Sequence, residues 1–198
     1  PIGDLDAPGG GERSSAADEL GASLARAARA ARVALEGEAA SRAVPVRDLS
    51  CTLTLARVEA SRAAVLQIGD GLAVLRVVSD YGAPLVLAVA PARGEHANET
   101  TFLTTDGALD RPAIAALAVA VDAVALSTDG LLRLAVDLRA GAPHAAFFAP
   151  LLAFAARTED VAGAAAGLAA FLAGPRVRAR TDDDATLALA ARAAPGGA

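Results

Sequence analysis

The amino-acid sequence predicts a single α+β domain, and three observations lead to this class. A helical pattern comes first, because four apolar residues recur at spacings of four, seven and four: Leu20, Leu24, Ala31 and Leu35. Strand-like segments rich in Val, Leu and Thr follow, with a period of two or short apolar runs. Two further helical segments and a closing strand end the chain. Consecutive strands between helices favour antiparallel sheets whose outer faces the helices cover.

Chain length and composition indicate one domain with a core of small side chains. The 198 residues suffice for one sizeable core and are too few for two comfortable ones. Aromatic residues make up only 3% and Met and Trp are absent, so Ala, Val and Leu must fill the core. We divide the chain into a loop-like N-terminus over 1–17, a folded domain over 18–192 and a disordered tail over 193–198.

The charge pattern argues against nucleic acid and membrane partners. The net charge is −5, and the 18 basic residues form no run that would attract phosphates or anionic lipid. The longest uncharged stretch, residues 140–156, is shorter than the roughly 20 apolar residues of a spanning helix. A single cysteine, Cys51, excludes an intramolecular disulfide. Since no signal-peptide pattern is present either, the sequence predicts a cytoplasmic protein.

The first half of the domain reads as a helix followed by a strand meander. We expect the helix to begin at Asp18 and to reach residue 35, with Arg26, Arg29 and Arg32 on its solvated face. The strand segments are "LSCTLTLARV", "AAVLQIGDGLAVLRVV" and "PLVLAVA". The "GDG" at residues 69–71 predicts a tight hairpin turn within the second segment.

The second half adds a strand, two helices and a last strand. The end of "AIAALAVAVDAVALSTDG" has the apolar run of a buried strand. Helical spacing follows in two segments, carried by Phe147, Leu151 and Phe154 in the first and by Val161, Leu168 and Leu172 in the second. Alternation over residues 186–190 predicts the closing strand.

Acidic residues at strand ends are the candidate functional groups. Asp70, Asp106 and Asp129 each precede a glycine, which usually marks a turn, and we assign Asp106 to a turn. Asp129 differs because a long apolar run precedes it, and Gly130 would let the chain turn away without a side chain that crowds a bound ion. A second acidic cluster meets an apolar strand at residues 181–189. These carboxylates either form solvated caps or converge on a Mg²⁺ or Mn²⁺ ion.

Four segments in order resemble the motifs of the metal-dependent serine/threonine phosphatases of type 2C, especially their compact bacterial branch. They are "LQIGDGLAVLR", "GEHANETTFLT", "AVALSTDGLL" and "RTDDDATLALA", and the resemblance spans roughly residues 18–190. It implies a four-layer α-β-β-α sandwich of two antiparallel sheets flanked by helices. It also implies two divalent ions, Mn²⁺ or Mg²⁺, and a metal-activated water that hydrolyses phosphoserine or phosphothreonine on a protein substrate.

The resemblance assigns roles to individual residues. Asp129 matches a direct metal ligand, and Asp183 matches the acidic ligand of the closing motif, with Asp184 in place of that motif's Asn. Asp70 matches the "GDS" turn of the family. Three residues match a segment near the cleft: Asn98, Glu99 and Thr100. We therefore expect Asp129 and Asp183 to share one ion or two ions about 3.5–4 Å apart.

The sequence departs from the family pattern at its beginning. The strand that should precede the first metal motif is missing, so the implied fold is N-terminally incomplete. Asp6, in "DAPG", is our tentative choice for the ligand that bridges both ions, and Asp4 competes with it. The chain is either a fragment or a degenerate member with a weakened site, and we expect weak metal binding and poor hydrolysis from it.

Two other functions are compatible with the same sequence. One is a catalytically silent phosphatase-like domain that binds a phosphoprotein or a regulatory partner. The other is a plain α+β interaction module with solvent-facing acidic turns, which predicts that Asp129 and Asp183 lie far apart.

Overall fold

The computed structural model describes residues 10–89 and 100–193. Its α-helices are α1 (Gly10–Ser41), α2 (Leu132–Ala135), α3 (Ala145–Arg157), α4 (Val161–Ala173) and α5 (Pro175–Arg178). Its strands are β1 (Leu53–Val58), β2 (Ala63–Ile68), β3 (Leu72–Val77), β4 (Leu85–Leu87), β5 (Ala113–Leu117), β6 (Val121–Ser127), β7 (Val136–Asp137), β8 (Ala142–Pro143) and β9 (Leu187–Ala191). Short 3-10 helices lie at Val46–Leu49 and Asp129–Leu131. The predicted α+β class is confirmed.

The described strands form two main antiparallel sheets. The first has the order β1-β2-β5 and the second the order β4-β3-β6-β9, while β7 and β8 make a separate two-stranded ribbon. An apolar cluster that includes Val65 of β2, Leu75 of β3 and Val124 of β6 joins the two main sheets. Its members are small or branched, as the composition predicted, and none is aromatic. Close contact between the sheets follows from these side chains.

Helix α1 packs on the first sheet through the predicted face. Leu20 and Leu24 are buried against Leu66 and Ile68 of β2, and Ala31 and Leu35 border the same cluster. The predicted phase of this helix is confirmed. Burial of each such leucine contributes roughly 1.5–3 kcal/mol relative to an exposed one.

One arginine of α1 is not solvated, contrary to the sequence prediction. Arg26 and Arg29 are exposed, but the side chain of Arg32 is only 16% exposed. Its guanidinium donates hydrogen bonds to the carbonyl oxygens of Leu103 and Thr105, at 2.9 and 3.3 Å. A helical wheel identifies the polar face of a helix, but it does not show which loops return to cover the edge of that face.

The assignment of residues 10–17 to a loop was wrong, because α1 already begins at Gly10. Ala17 is buried and lies three residues before Leu20, so the apolar face of the helix extends upstream of Asp18. Two of the glycines that suggested a loop, Gly10 and Gly11, occupy the first turn. The rest of the loop-like segment, residues 1–9, and the tail from residue 194 lie outside the described residues.

The "GDG" segment at residues 69–71 is not a hairpin turn, because β2 and β3 belong to different sheets. All six residues of β2 are buried, since α1 covers one face and the second sheet covers the other. The segment therefore carries the chain from one sheet to the next. The sequence Gly-Asp-Gly is compatible both with a hairpin turn in one sheet and with a connection between two sheets. Only the continuous apolar runs indicated strands that are buried on both faces.

The second sheet is covered by α3, through a cluster that includes Phe148, Leu152 and Leu187. Helices α3 and α4 contain the apolar positions that predicted them, and strand β9 is shifted by one residue from the predicted range 186–190. Strand β5 was not predicted, because its alanine-rich sequence is largely exposed and shows no alternation. No described helix combines the length and the apolar character that crossing a membrane requires.

Candidate functional site

Three acidic residues follow or precede neighbouring strands of the second sheet at the same edge. Leu72 of β3 pairs with Ser127 of β6, and Ser127 pairs with Leu187 of β9. Because these strands are antiparallel, the start of β3, the end of β6 and the start of β9 coincide. Asp70, Asp129 and Asp183 occupy the segments just beyond these ends.

The surroundings of Asp129 disfavour its charged form. The pKa of Asp129 is raised above its ordinary value, first by partial burial, then by the nearby charge of Asp70 and then by that of Asp183. Both burial and like charges disfavour the carboxylate form. The hypothesis of a plain interaction module predicted that Asp129 and Asp183 lie far apart, and this prediction was wrong.

Thr128 fastens the loop of residues 181–186 to the end of β6. Its Oγ1 donates to the carbonyl oxygen of Asp184 at 3.2 Å and accepts from the backbone N–H of Thr186 at 3.0 Å. Its backbone N–H donates to the carbonyl oxygen of Thr186 at 3.2 Å. Sequence reasoning missed this residue, although a hydroxyl next to Asp-Gly was a signal for a local hydrogen bond.

Gly130 passes directly against the same loop. A Cβ at this position would overlap the carbonyl oxygen of Asp184 and lie 3.1 Å from its carbonyl carbon. Gly130 is not among the described glycines with positive φ. The glycine is therefore required here by the close approach of backbone atoms and not by a positive φ. That its missing side chain also leaves room for an ion stays a prediction.

The loop that carries Asp183 has internal hydrogen bonds of its own. The backbone N–H of Asp183 donates to Thr181 Oγ1 at 3.2 Å, and the carboxylate Oδ1 of Asp183 accepts from the N–H of Asp184 at 2.8 Å. Arg178 donates to the carbonyl oxygen of Asp183 at 3.2 Å. Asp183 and Asp184 are both exposed, so the remaining carboxylate oxygens face solvent at this edge.

Asp70 is held by Thr100, whose Oγ1 donates to Asp70 Oδ2 at 2.6 Å. Thr100 is the first described residue after the gap at 90–99, and it reaches the site edge as its position in the resembling segment implied. Asn98 and Glu99 lie in that gap, and Asp4 and Asp6 lie before residue 10. These four candidate residues are outside the described residues.

The described carboxylates have the chemistry that a Mg²⁺ or Mn²⁺ ion prefers, in an incomplete set. Hard oxygen donors suit both ions, and Mg²⁺ is commonly bound by one or two carboxylates while it keeps several waters. The pKa of Asp129 is raised by burial first and by the charges of Asp70 and Asp183 second, and a cation would offset both effects. Within residues 10–89 and 100–193, no three His, Cys, Asp or Glu residues are grouped closely enough to hold a metal.

Two buried polar atoms without a hydrogen-bond partner in the described residues flank the site. They are Gln67 Oε1, three residues before Asp70, and Ser127 Oγ, two residues before Asp129. Buried polar atoms are normally satisfied by protein or ordered water. We expect ordered water to reach both atoms from the acidic edge.

The raised pKa of Asp129 predicts a pH-dependent effect of Asp129→Asn on the metal-free protein. A carboxyl whose pKa is higher in the folded state destabilises the fold once it ionises, as pH rises through its unfolded and then its folded pKa. Asp129→Asn should therefore raise the melting temperature at neutral pH. Thermal melts with chelator should show this gap closing as the pH falls below the ordinary Asp value, and a gap independent of pH would contradict the electrostatic cause.

Comparison with known proteins identifies the family of the chain. The family model described as protein phosphatase 2C matches residues 10–173. Serine/threonine-protein phosphatase 3 of Escherichia coli (strain K12) is 38% identical over 161 residues, which is 80% of this chain and 62% of that protein. This chain thus spans less than two thirds of the length of that relative, and no solved structure gives a significant match. Because the family model covers most of the sequence, the chain belongs to the protein phosphatase 2C family.

Proposed function

We propose that the protein is a metal-dependent phosphatase that hydrolyses phosphoserine and phosphothreonine on proteins. The observation that carries this proposal is that Asp70, Asp129 and Asp183 lie at one sheet edge, where partial burial and then the charges of Asp70 and Asp183 raise the pKa of Asp129. A protein of this family that concentrates negative charge in one place gains most from a divalent cation there. Family membership and the Escherichia coli relative support the reaction type.

The proposed roles of the residues follow from their positions. Asp129 and Asp183 bind the ion or ions directly, and Asp6 is proposed to complete the set from outside the described residues. Asp70, held by Thr100, keeps a further negative charge beside Asp129. Bound Mn²⁺ or Mg²⁺ supplies an activated water and neutralises charge on the phosphoryl group.

The proposed architecture is the four-layer α-β-β-α sandwich. Helix α1 contacts the first sheet, the two sheets share an apolar cluster, and α3 contacts the second sheet. These three interfaces are the ones that such a sandwich requires. Phosphorylated proteins as substrates and a cytoplasmic location in a bacterium stay predictions.

Hydrolysis of a phosphothreonine peptide with and without Mn²⁺ tests the proposed function. We expect turnover that requires Mn²⁺ or Mg²⁺, disappears with chelator and returns when the metal is restored. A phosphotyrosine peptide of the same sequence is the control and should be hydrolysed more slowly. The assay is run on the 198-residue chain and on the full product of its gene. Turnover that persists in chelator, or its absence from both proteins with metal, would contradict the proposal.

A further inference from the structure

We propose that Thr128 is a positioning residue for the metal site. Its side chain orients the loop that carries Asp183 and does not bind the metal. Its hydroxyl holds the loop of residues 181–186 against the end of β6, so that Asp183 stays beside Asp129. This inference rests on the proposed function, because it concerns the same acidic edge. It assigns the hydroxyl a role that neither the aspartates nor the sheet hydrogen bonds perform.

The hydroxyl extends the sheet beyond its last strand pair. The ladder between β6 and β9 ends at Ser127 and Leu187. Past this point, the backbone N–H of Thr128 still donates to the Thr186 carbonyl oxygen at 3.2 Å. Thr128 Oγ1 adds two side-chain bonds, as it accepts from Thr186 N at 3.0 Å and donates to the Asp184 carbonyl oxygen at 3.2 Å. A hydroxyl can do both at once, since it has one donor and two acceptor sites.

Contacts from two sides hold the backbone of the loop at Asp183 and Asp184. The Asp184 carbonyl oxygen receives the Thr128 hydroxyl and lies directly against Gly130. On the other side, Arg178 donates to the carbonyl oxygen of Asp183 at 3.2 Å. The peptide unit between these contacts has little freedom left, so the Asp183 side chain starts from a defined position.

The physical need for this attachment is the repulsion across it. Asp129 and Asp183 follow and precede neighbouring antiparallel strands at the same edge, and like charges that lie close together repel. Without the hydroxyl, the exposed loop can move away until a cation brings it back. Ordering the loop again makes the free energy of metal binding less favourable, because a site that is not preorganised binds more weakly. Once the metal is bound, the carboxylates occupy the same places.

Thr128→Val keeps the shape of the side chain and removes both hydrogen bonds. We expect its Mn²⁺ affinity to fall about tenfold, the effect of losing one or two hydrogen bonds. The turnover number at saturating Mn²⁺ should stay within about twofold of the parent, because the loaded site is unchanged. Thr128→Ser retains the hydroxyl and should restore the affinity.

Electron paramagnetic resonance of free Mn²⁺, measured without substrate, gives the affinity, and peptide hydrolysis at several Mn²⁺ concentrations gives the activation constant. Thr158→Val is the matched control, since Thr158 also donates its hydroxyl to a backbone carbonyl, that of Phe154, at the end of α3. It should leave the Mn²⁺ affinity unchanged. If Thr128→Val does not fold, Thr128→Cys replaces it, because a thiol is a weak donor and acceptor.

The outcomes separate this inference from the proposed function. Weaker Mn²⁺ binding in Thr128→Val or Thr128→Cys, with rescue by Thr128→Ser, supports the positioning role. Parent-like affinity in Thr128→Val or Thr128→Cys, while Asp129→Asn loses binding, overturns the positioning role and leaves the proposed function standing. If neither the 198-residue chain nor the full product of its gene binds Mn²⁺, both are overturned.

Discussion

Asp129→Asn is expected to remove most Mn²⁺-dependent phosphatase turnover while the protein stays folded. Asn has the shape of Asp without its charge, so a metal held by Asp129 loses a strong ligand. Metal ions contribute several kcal/mol of transition-state stabilisation. A loss of about 3 kcal/mol corresponds to roughly a hundredfold slower reaction at 25 °C. The fold should survive because removing one of three neighbouring negative charges relieves repulsion at this edge.

The measurement is the rate of phosphothreonine peptide hydrolysis at a fixed, moderate Mn²⁺ concentration, together with a thermal melt. Asp183→Asn should behave like Asp129→Asn. The matched control is Asp182→Asn, since Asp182 is exposed in the same acidic run and makes no hydrogen bond or ion pair within the described part of the chain. Equal loss in all three variants would mean that net charge matters and that Asp129 and Asp183 have no ligand role.

The sequence was sufficient to predict what depends on local periodicity. The apolar spacing around Leu20 and Leu24 gave the buried face of α1, because a helix repeats every 3.6 residues wherever it packs. The apolar run before Asp129 and the one after Asp183 predicted β6 and β9. These two strands are neighbours in the sheet, which is why their acidic ends meet. Motif order pointed to the same pairing.

Features that depend on contacts between distant segments of the chain could not be predicted from local periodicity. Whether the segment around Asp70 joins two strands of one sheet or passes between sheets depends on what covers β2, and this is decided by α1 and β3. Arg32 lies on the polar side of its helix, yet the carbonyl groups of a loop about seventy residues later bury it. Gly130 looked like a turn residue because its contact with Asp184 joins segments distant in sequence. In each case a nonlocal contact overrides the local signal.

Gly130→Ala is expected to lower the stability of the protein and its affinity for Mn²⁺ together. A methyl group at this position would overlap the Asp184 carbonyl, a backbone group that cannot rotate away as a flexible side chain would. Relieving the overlap requires the loop of residues 181–186 to shift, which strains the Thr128 hydrogen bonds and moves Asp183 away from Asp129. Overpacking of this kind typically costs about 1–3 kcal/mol.

The expected decrease in melting temperature is about 2–12 °C, since a loss of about 1 kcal/mol lowers it by about 2–4 °C in a domain of this size. Gly167→Ala is the matched control: Gly167 lies within α4 and has no atom within 4 Å of an added Cβ. There the substitution should stabilise the protein by about 1 kcal/mol, because alanine favours a helix. The two alanine variants should thus shift the melting temperature in opposite directions. Unchanged melting and unchanged Mn²⁺ affinity in Gly130→Ala would show that the loop moves aside freely, and the position of Asp183 would then not depend on this contact.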